Sequence, residues 1–477
     1  MERLIRTGRV KTKNAREIGY SRLGIGFEKL DRRAFDPETA YDPVGELGVH
    51  YVRIQSGWQR TEREKGVYDF AWLDSIVNNL ITRGMEPWID LCYGNDLYTE
   101  SAKEHFGAVG CPPIKTEGEK QAWRTYVDAT VRHFHGRVRW YEIWNEPDGR
   151  WCWKHGANAA EYADFAVDTA KTIHRADPEA KVIAGVLCNI NLPYFKVMFD
   201  RGTAQAADAV SFHRYNADEL NALNEIHALR ALIDQYNPKL RIIQGESGTQ
   251  SDSRGAGALR GGAWTELKQA KYTLRHRLLD LASEVVFTSQ FTALDMIEAL
   301  NGKPGDKASY QDYGYFGLLH ADFDEDGIAC GTYTPKLSYR AMQHLAALFP
   351  ENVRPCQLPV VRKVLDSPRV FGQDDSSAQV VMLGFDNGSG AQALAYWKAA
   401  DLMRETYEGT ISFLLPGEER PIGLIDLMTG EKYRLPESMI GREYFDCSGY
   451  NGAVMLKNLP LTDSPMLLTF GGFEKAD

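Results

Sequence analysis

No two of the seven cysteines (92, 111, 152, 188, 330, 356 and 447) stand in Cys-x-x-Cys spacing, and their number is odd. Neither a disulfide framework nor a zinc site is expected; reduced thiols in a cytoplasm are. No apolar run follows the opening Met1-Glu-Arg-Leu-Ile-Arg-Thr-Gly-Arg, so the reading includes no signal peptide and no transmembrane segment. The chain has no basic excess. Its 55 Lys and Arg face 65 Asp and Glu, for a net charge of −10. Nucleic acid and membrane are therefore not expected partners. A Gly-rich phosphate loop after an early strand is missing, against an open doubly wound nucleotide-binding sheet. No His-x-His closes a strand, against a metal-dependent barrel hydrolase. Low-complexity linkers are absent too, which suggests tightly packed domains.

What is present is an alternation of apolar runs and amphipathic stretches. Strands are expected near residues 23–28, 51–55, 87–92, 140–145, 182–187, 209–213, 241–245 and 285–291. Helical periodicity falls between them, at 71–83, 119–134, 159–175, 218–236, 266–282 and 336–348. Asp177-Pro178 and Asn237-Pro238 stop two of these helices. Eight strands so interleaved predict an α/β fold, a (β/α)8 TIM barrel over residues 21–350. Beyond about Pro350 the helical period disappears. Short alternating runs separated by Asn387-Gly388, Pro416-Gly417 and Thr429-Gly430 predict a C-terminal β-sandwich over 351–477. Residues 1–20 precede the first barrel strand and could add a strand to that sandwich.

Two of the barrel runs end on a carboxylate beside a turn-former: Tyr141-Glu-Ile-Trp-Asn-Glu146-Pro-Asp and Arg241-Ile-Ile-Gln-Gly-Glu246-Ser-Gly. A buried parallel strand delivers an acid to a barrel mouth in this way, and two carboxylates facing one cleft are the equipment of glycoside hydrolysis. By strand alternation, Glu142, Trp144 and Glu146 share one face, and Tyr141, Ile143 and Asn145 the other. A strand-end glutamate is more often an ordinary helix or loop cap, but the full Trp-Asn-Glu-Pro context favours catalysis. Glu142, deeper in the strand, reads as a buried carboxylate paired to a basic residue. Arg53, in Tyr51-Val-Arg, should point inward beside Glu246.

The Asn-Glu-Pro ending resembles the clan A retaining glycoside hydrolases. With Trp58 and Gly66-Val-Tyr-Asp-Phe70, the chain looks most like glycoside hydrolase family 39, the β-xylosidase and α-L-iduronidase family. That resemblance implies Glu146 as general acid/base and Glu246 as nucleophile, with Asn145 bonded to the sugar 2-hydroxyl. As a proton donor, Glu146 should have its pKa raised by burial and by the second carboxylate. Family members usually show Thr-Glu where this chain has Gly245-Glu246, and related enzymes often carry Trp where Phe291 stands. Phe212-His213-Arg-Tyr215 matches the clan's His-x-Tyr pattern, so His213 or Tyr215 should touch the nucleophile.

Aromatics crowd the strand-end loops: Trp58, Tyr93, Trp151, Trp153, Trp264 and Tyr313. Each alone is more often core, but together they favour a sugar pocket. The long loops 93–116, 249–265 and 299–334 could wall it off, favouring exo action. Expected substrate contacts are Asn145, Arg53, His213, Tyr215, Trp58, Trp151 and Phe291. Asp322-Phe-Asp-Glu-Asp326-Gly matches the start of a calcium loop, but position twelve is Tyr333, so a solvated acidic turn is the default. The reading is a cofactor-free, retaining exo-β-glycosidase on an oligosaccharide or glycoside, with a neutral sugar favoured and homo-oligomerisation open. Its rivals are an endo-glycanase or transglycosidase on the same residues, or a catalytically silent carbohydrate-binding protein.

Overall fold

The computed structural model describes residues 4–366, 379–403, 406–417, 420–443 and 452–473. Eight parallel strands close into a barrel: β1 Leu23–Gly26, β2 Tyr51–Gln55, β3 Glu86–Leu91, β4 Trp140–Ile143, β5 Lys181–Leu187, β6 Ala209–His213, β7 Arg241–Ser247 and β8 Val285–Gln290. Each lies within about two residues of its expected span at most ends, because a strand buried on both faces reads as a short apolar run bounded by turn-formers. Helices alternate with the strands, among them Ala71–Thr82, Glu117–His133, Ala159–Ala176, Ala222–Asp234 and Glu266–Leu281. Thr116 caps the second of these in a reciprocal capping box with Glu119, and Asn158 caps the third.

Inside the barrel, the period of two sorts the residues into layers. The lower layer is apolar: Tyr51, Trp88, Trp140, Ile183, Ala209, Ile243 and Phe287. The Phe287 ring stacks on Tyr51 at 4.0 Å and lies 5.2 Å from Trp88. Two residues further along the strands, the inward positions become polar: Arg53 after Tyr51, Asp90 after Trp88 and Glu142 after Trp140. The apolar layer thus seals the N-terminal end and forms the floor on which the charged layer stands.

The C-terminal region is antiparallel. A seven-stranded sheet runs in the order Ile5–Arg9, Glu431–Arg434, Ile422–Asp426, Met466–Phe470, Gln392–Lys398, Val380–Asp386 and Arg354–Cys356. It faces a four-stranded sheet of Val361–Asp366, Glu408–Pro416, Ala453–Thr462 and Ile440–Glu443. Leu394, Tyr396, Leu424 and Leu468 from the first sheet meet Phe413, Leu456 and Leu461 from the second. The alternate residues Ala393, Ala395, Trp397, Ile425 and Leu467 point the other way and join the barrel's own core. The larger sheet is therefore buried on both faces, and barrel and sandwich pack without a linker. The N-terminal strand Ile5–Arg9 lies at its edge, paired antiparallel with Glu431–Arg434.

Among the described residues, no helix is long and apolar enough to cross a membrane. Six cysteines are free thiols, and Cys447 lies outside the described residues.

Phe287→Ala should remove the aromatic that joins Tyr51, Trp88 and Trp140 and leave a void that rigid strands cannot close. The expected loss is about 3–5 kcal/mol. Urea unfolding should show a lower midpoint with an unchanged slope. A loss under about 1 kcal/mol would mean that the layer does not hold the barrel together.

Candidate active site

Arg53 stands at the centre of the charged layer, fully buried. Its Nε donates to Glu142 Oε2 at 2.8 Å. Nη1 donates to Glu246 Oε2 at 2.7 Å and more loosely to Glu28 Oε1 at 3.4 Å. Nη2 donates to Asn145 Oδ1 at 2.9 Å and lies 3.4 Å from Asp90 Oδ2. Trp88 Nε1 adds a second bond to Glu142 Oε2 at 2.9 Å. One cation thus faces four carboxylates. Burial raises Glu28 to about 7 despite Arg53, with Glu246 adding to the rise. Burial likewise raises Asp90 to about 7 against the pull of Arg53, with Glu142 adding to the rise. Both sit near half-protonation at neutral pH, which relieves the negative charge around Arg53.

Glu146 and Glu246 open onto one cavity of about 410 Å³. One oxygen of each and one ring nitrogen of His213 all lie within 4.8 Å of one another. Strand β4 ends at Ile143, and Trp144 and Glu146 then take left-handed φ values of 66° and 45°. The Glu146 N–H donates to Val186 O at 3.0 Å, and Trp144 Nε1 to Cys152 O at 2.7 Å, which pins this turn. At Glu246 the register with β6 shifts, setting Glu246 against His213. Tyr215 OH donates to Glu246 Oε1. His213 Nδ1 lies 3.0 Å from Glu146 Oε1 and 3.7 Å from Glu246 Oε2, and Trp151 Nε1 donates to Glu146 Oε2.

These contacts decide where the proton sits. Burial pushes Glu146 up, but the hydrogen bond and charge of His213, the Trp151 N–H and the Arg53 charge together bring it below the usual 4.5. Burial pushes His213 down, but the charges of Glu246 and Glu146 and the bond to Glu146 carry it above the usual 6.5. Glu146 is thus shifted toward its charged form and the His213 ring toward its protonated form. The expected rise of the Glu146 pKa is corrected: the neighbour that dominates after burial is a protonatable ring and not the second carboxylate.

A model of the glycosyl hydrolases family 39 matches residues 38–234, a span that includes Arg53, Glu146 and His213 and ends before Glu246. The β-xylosidase of Caldicellulosiruptor saccharolyticus is 27% identical over 193 residues, covering 36% of this chain and 38% of that protein. The chain is similar to the family 39 glycosyl hydrolases. Two solved structures share its fold. A family 39 glycoside hydrolase from Bacteroides cellulosilyticus superposes with a TM-score of 0.67 at 17% identity, over 96% of this chain and 82% of that one. A monomeric β-xylosidase from Caulobacter crescentus gives 0.58 at 18% identity, over 97% of each chain.

Within this family 39 likeness, the structure brings Glu146, Glu246, Asn145, Tyr215, Trp151 and Phe291 to the cavity wall, with Arg53 directly behind. His213 lies beneath both carboxylates, fully buried, and does not line the cavity. It contacts Glu146 and Glu246 from behind, and Tyr215 is the residue whose hydroxyl donates to Glu246. Trp58 is also a correction. Its short helix Trp58–Thr61 turns the ring outward, where it stacks on Tyr98 and Tyr126 and donates to Glu62 at 2.6 Å. Trp153, Trp264 and Tyr313 are likewise away from the cavity, so of the six loop aromatics only Tyr93 and Trp151 line it. The strand alternation expected at Glu146 fails as well, because the left-handed turn brings Asn145 and Glu146 to the same cavity.

Gly245 sits in close quarters. A Cβ there would stand 2.3 Å from Ser211 Oγ and 3.2 Å from Glu142 Oε1, so a side chain at this position would require Ser211 to move. Several lining residues escaped the sequence reading: Glu28, Lys29, Arg32, Glu298, Asp312 and Phe316. Glu28 had a usable signal, since it too follows an apolar run, Leu23 to Phe27. Lys29 pairs with Glu298 at 3.5 Å, and Phe316 packs edge-on to Phe291 at 5.2 Å.

Glu146, His213 and Glu246 are also the one group of potential metal ligands at such spacing among the described residues. Arg53, Tyr215 and Trp151 already donate to the two carboxylates, so a cation would compete with three donors there. The acidic turn around Asp324 is a hairpin tip between Leu319–Phe323 and Ala329–Pro335. There Asp324 Oδ1 accepts from the Asp326 and Ile328 N–H groups, and Asp326 pairs with Lys307.

The raised Asp90 has a consequence for stability. Its usual value is 3.8 and its folded value about 7, so its favourable contribution is complete below pH 3.8 and is lost as pH rises through about 7. Asp90→Asn cannot ionise. The stability of this variant relative to the parent should therefore climb between about pH 4 and pH 8 in urea unfolding. A difference that stays flat over that range would show that Asp90 is not raised.

Proposed function

We propose that the chain is a retaining, exo-acting glycosidase cleaving neutral β-glycosides, with β-xylosides the first substrates to try. The observation that carries the reading is the closeness of Glu146 and Glu246 in one cavity, with carboxylate oxygens no more than 4.8 Å apart. A retaining nucleophile must touch the anomeric carbon, which sets carboxyl groups ~5–5.5 Å apart; an inverting pair needs ~6.5–9.5 Å to admit a water. The cavity is small and walled by residues 257–260 and by Glu298, Leu300 and Asn301, which favours removal of a terminal sugar over binding along a polymer. The β-xylosidases among the similar proteins support a pentoside. Six free thiols support a reducing compartment.

In the first step Glu246 Oε attacks the anomeric carbon while the bond from that carbon to the leaving oxygen breaks. The proton passes along the 3.0 Å bond from His213 Nδ1 to Glu146, and Glu146 delivers it to the departing oxygen. In the second step Glu146, now a carboxylate, takes a proton from water as the water oxygen attacks the same carbon. Glu246 leaves, and the pair regains its proton. Arg53 and Tyr215 hold the attacking carboxylate in place throughout. In this reading Asn145, whose Oδ1 accepts from Arg53, bonds the sugar 2-hydroxyl.

A panel of nitrophenyl glycosides tests the activity, and two variants test the roles. Glu246→Ala should abolish turnover, and azide or formate should restore part of it with an inverted product, because the anion attacks from the vacated side. Glu146→Ala should slow substrates with poor leaving groups severely while activated aryl glycosides still load the enzyme. The parent's basic pH limb, set by loss of the pair's proton, should vanish with it. Unaided turnover by Glu246→Ala, or equal losses on alkyl and aryl substrates for Glu146→Ala, would overturn the assignment.

A further inference from the structure

Among the described residues, a short segment of the sandwich reaches the loops that wall the cavity. Trp397 closes the strand-end of Gln392–Lys398, and residues 399–403 lead from it onto the barrel. Three buried side chains of the barrel hold the base of this segment. Arg275 Nη1 donates to Ala400 O at 2.9 Å, and Arg275 Nε to Asp463 O at 2.8 Å. Lys271 Nζ pairs with Asp463 Oδ2 at 2.6 Å. Glu219 accepts from Trp397 Nε1 at 2.9 Å and pairs with Arg275 at 3.3 Å. Beyond this anchor, Leu402 is buried in a small apolar cluster with Trp264 and Tyr272, and Ala217, Leu259 and Met403 pack against it.

Two members of that cluster belong to active-site loops. Ala217 is two residues from Tyr215, whose hydroxyl binds Glu246. Leu259 lines the catalytic cavity itself, between Gly257 and Arg260. Leu259 also stands at φ 56°, in the left-handed region. A γ-branched residue does not rest there unless its surroundings leave it no alternative. Trp264 Nε1 supplies one restraint, a 2.8 Å bond to Leu259 O. Leu259 packs against the cluster that Leu402 completes, and a Cβ placed at Gly262 of the same loop would stand 3.2 Å from Met403 Sδ.

We propose that Leu402, with Met403, is a positioning residue of the active site: the sandwich holds the cavity wall formed by residues 257–260 in its strained, substrate-binding shape. The inference rests on the glycosidase reading for its kinetic consequences and on geometry alone for its conformational ones. Leu402 touches no reacting group. Its loss loosens the wall that binds the sugar and leaves Glu146, Glu246, His213 and Arg53 where they are.

Two measurements test it on the full chain. Arg254 and Arg260 are exposed in the wall loop, so trypsin under native conditions reports how often that loop opens. Leu402→Ala should speed cleavage after these two arginines by about tenfold, as opening becomes more frequent. On the best nitrophenyl glycoside it should raise KM severalfold, with kcat within about twofold of the parent, because only binding contacts are lost. Leu402→Met, which keeps the volume, should restore both. If Leu402→Ala does not fold, Met403→Ala trims the half-buried neighbour and makes the same two measurements. Cleavage and KM both unchanged in the folded variant would overturn the proposal. So would a loss of kcat equal to the rise in KM, which would mark general destabilisation. A parent that turns over no glycoside would sink the glycosidase reading instead, and the cleavage arm would still decide the positioning role.

Discussion

The charge on Arg53 is the constraint from which the rest of the site follows. A fully buried guanidinium carries a desolvation penalty of several kcal/mol unless it is well paired. Here Glu28, Asp90, Glu142, Glu246 and Asn145 surround it on three barrel strands and two strand-end turns. Four carboxylates around one cation is one-sided in the opposite sense, and the barrel settles it by protonation: Glu28 and Asp90 rise to about 7, while Glu246 keeps the shortest bond to Arg53. Glu142 is held by two donors on one oxygen, Arg53 Nε and Trp88 Nε1. Glu246 at the cavity and Glu142 behind it are thus set apart by hydrogen bonding, although they share a cation.

The second carboxylate is governed by backbone geometry. Had β4 run on in regular alternation, Asn145 and Glu146 would face opposite ways. Left-handed φ values at Trp144 and Glu146 turn both into the cavity, and Glu146 meets His213 from β6. The ring is the closer partner, 3.0 Å from Glu146 Oε1, and its bond and charge lower Glu146 while the carboxylates raise His213. The titration of the acid limb belongs to the pair and not to either residue.

Much of this was legible in the sequence, for identifiable reasons. The strands were readable because a parallel strand buried on both faces shows as a bounded apolar run, and Arg53 and Glu142 because period-two alternation needs nothing beyond the strand itself. Glu146 and Glu246 were readable because apolar runs ending on a carboxylate are rare, and the Asn-Glu-Pro turn is rarer. Illegible were the features set by loops. Trp58 looked like a pocket aromatic because position after β2 was known and side-chain direction was not. Lys29, Glu298 and Asp312 come from separate loops that only the closed barrel brings to one cavity. The direction of the Glu146 shift was misjudged for a related reason: burial and like charge are visible in a motif, whereas a histidine arriving from another strand is not.

The larger sandwich sheet shows how the same sequence rule links the two domains. Its strand Gln392–Lys398 reads as nearly unbroken apolar residues, which in an antiparallel strand means that neither face meets water. One face makes the sandwich core and the other lies on the barrel. Two-sided burial fixes register strongly, since a slip of one residue would exchange every side chain between two cores of different shape. A sheet so held is a firm base, and the chain leaving the end of this interior strand after Lys398 is delivered to the barrel at a defined place. A loosely tethered accessory domain could not do that. The absence of a linker in the sequence, which at first says only that the domains pack closely, is therefore also the condition under which a sandwich residue can support the wall of a barrel active site.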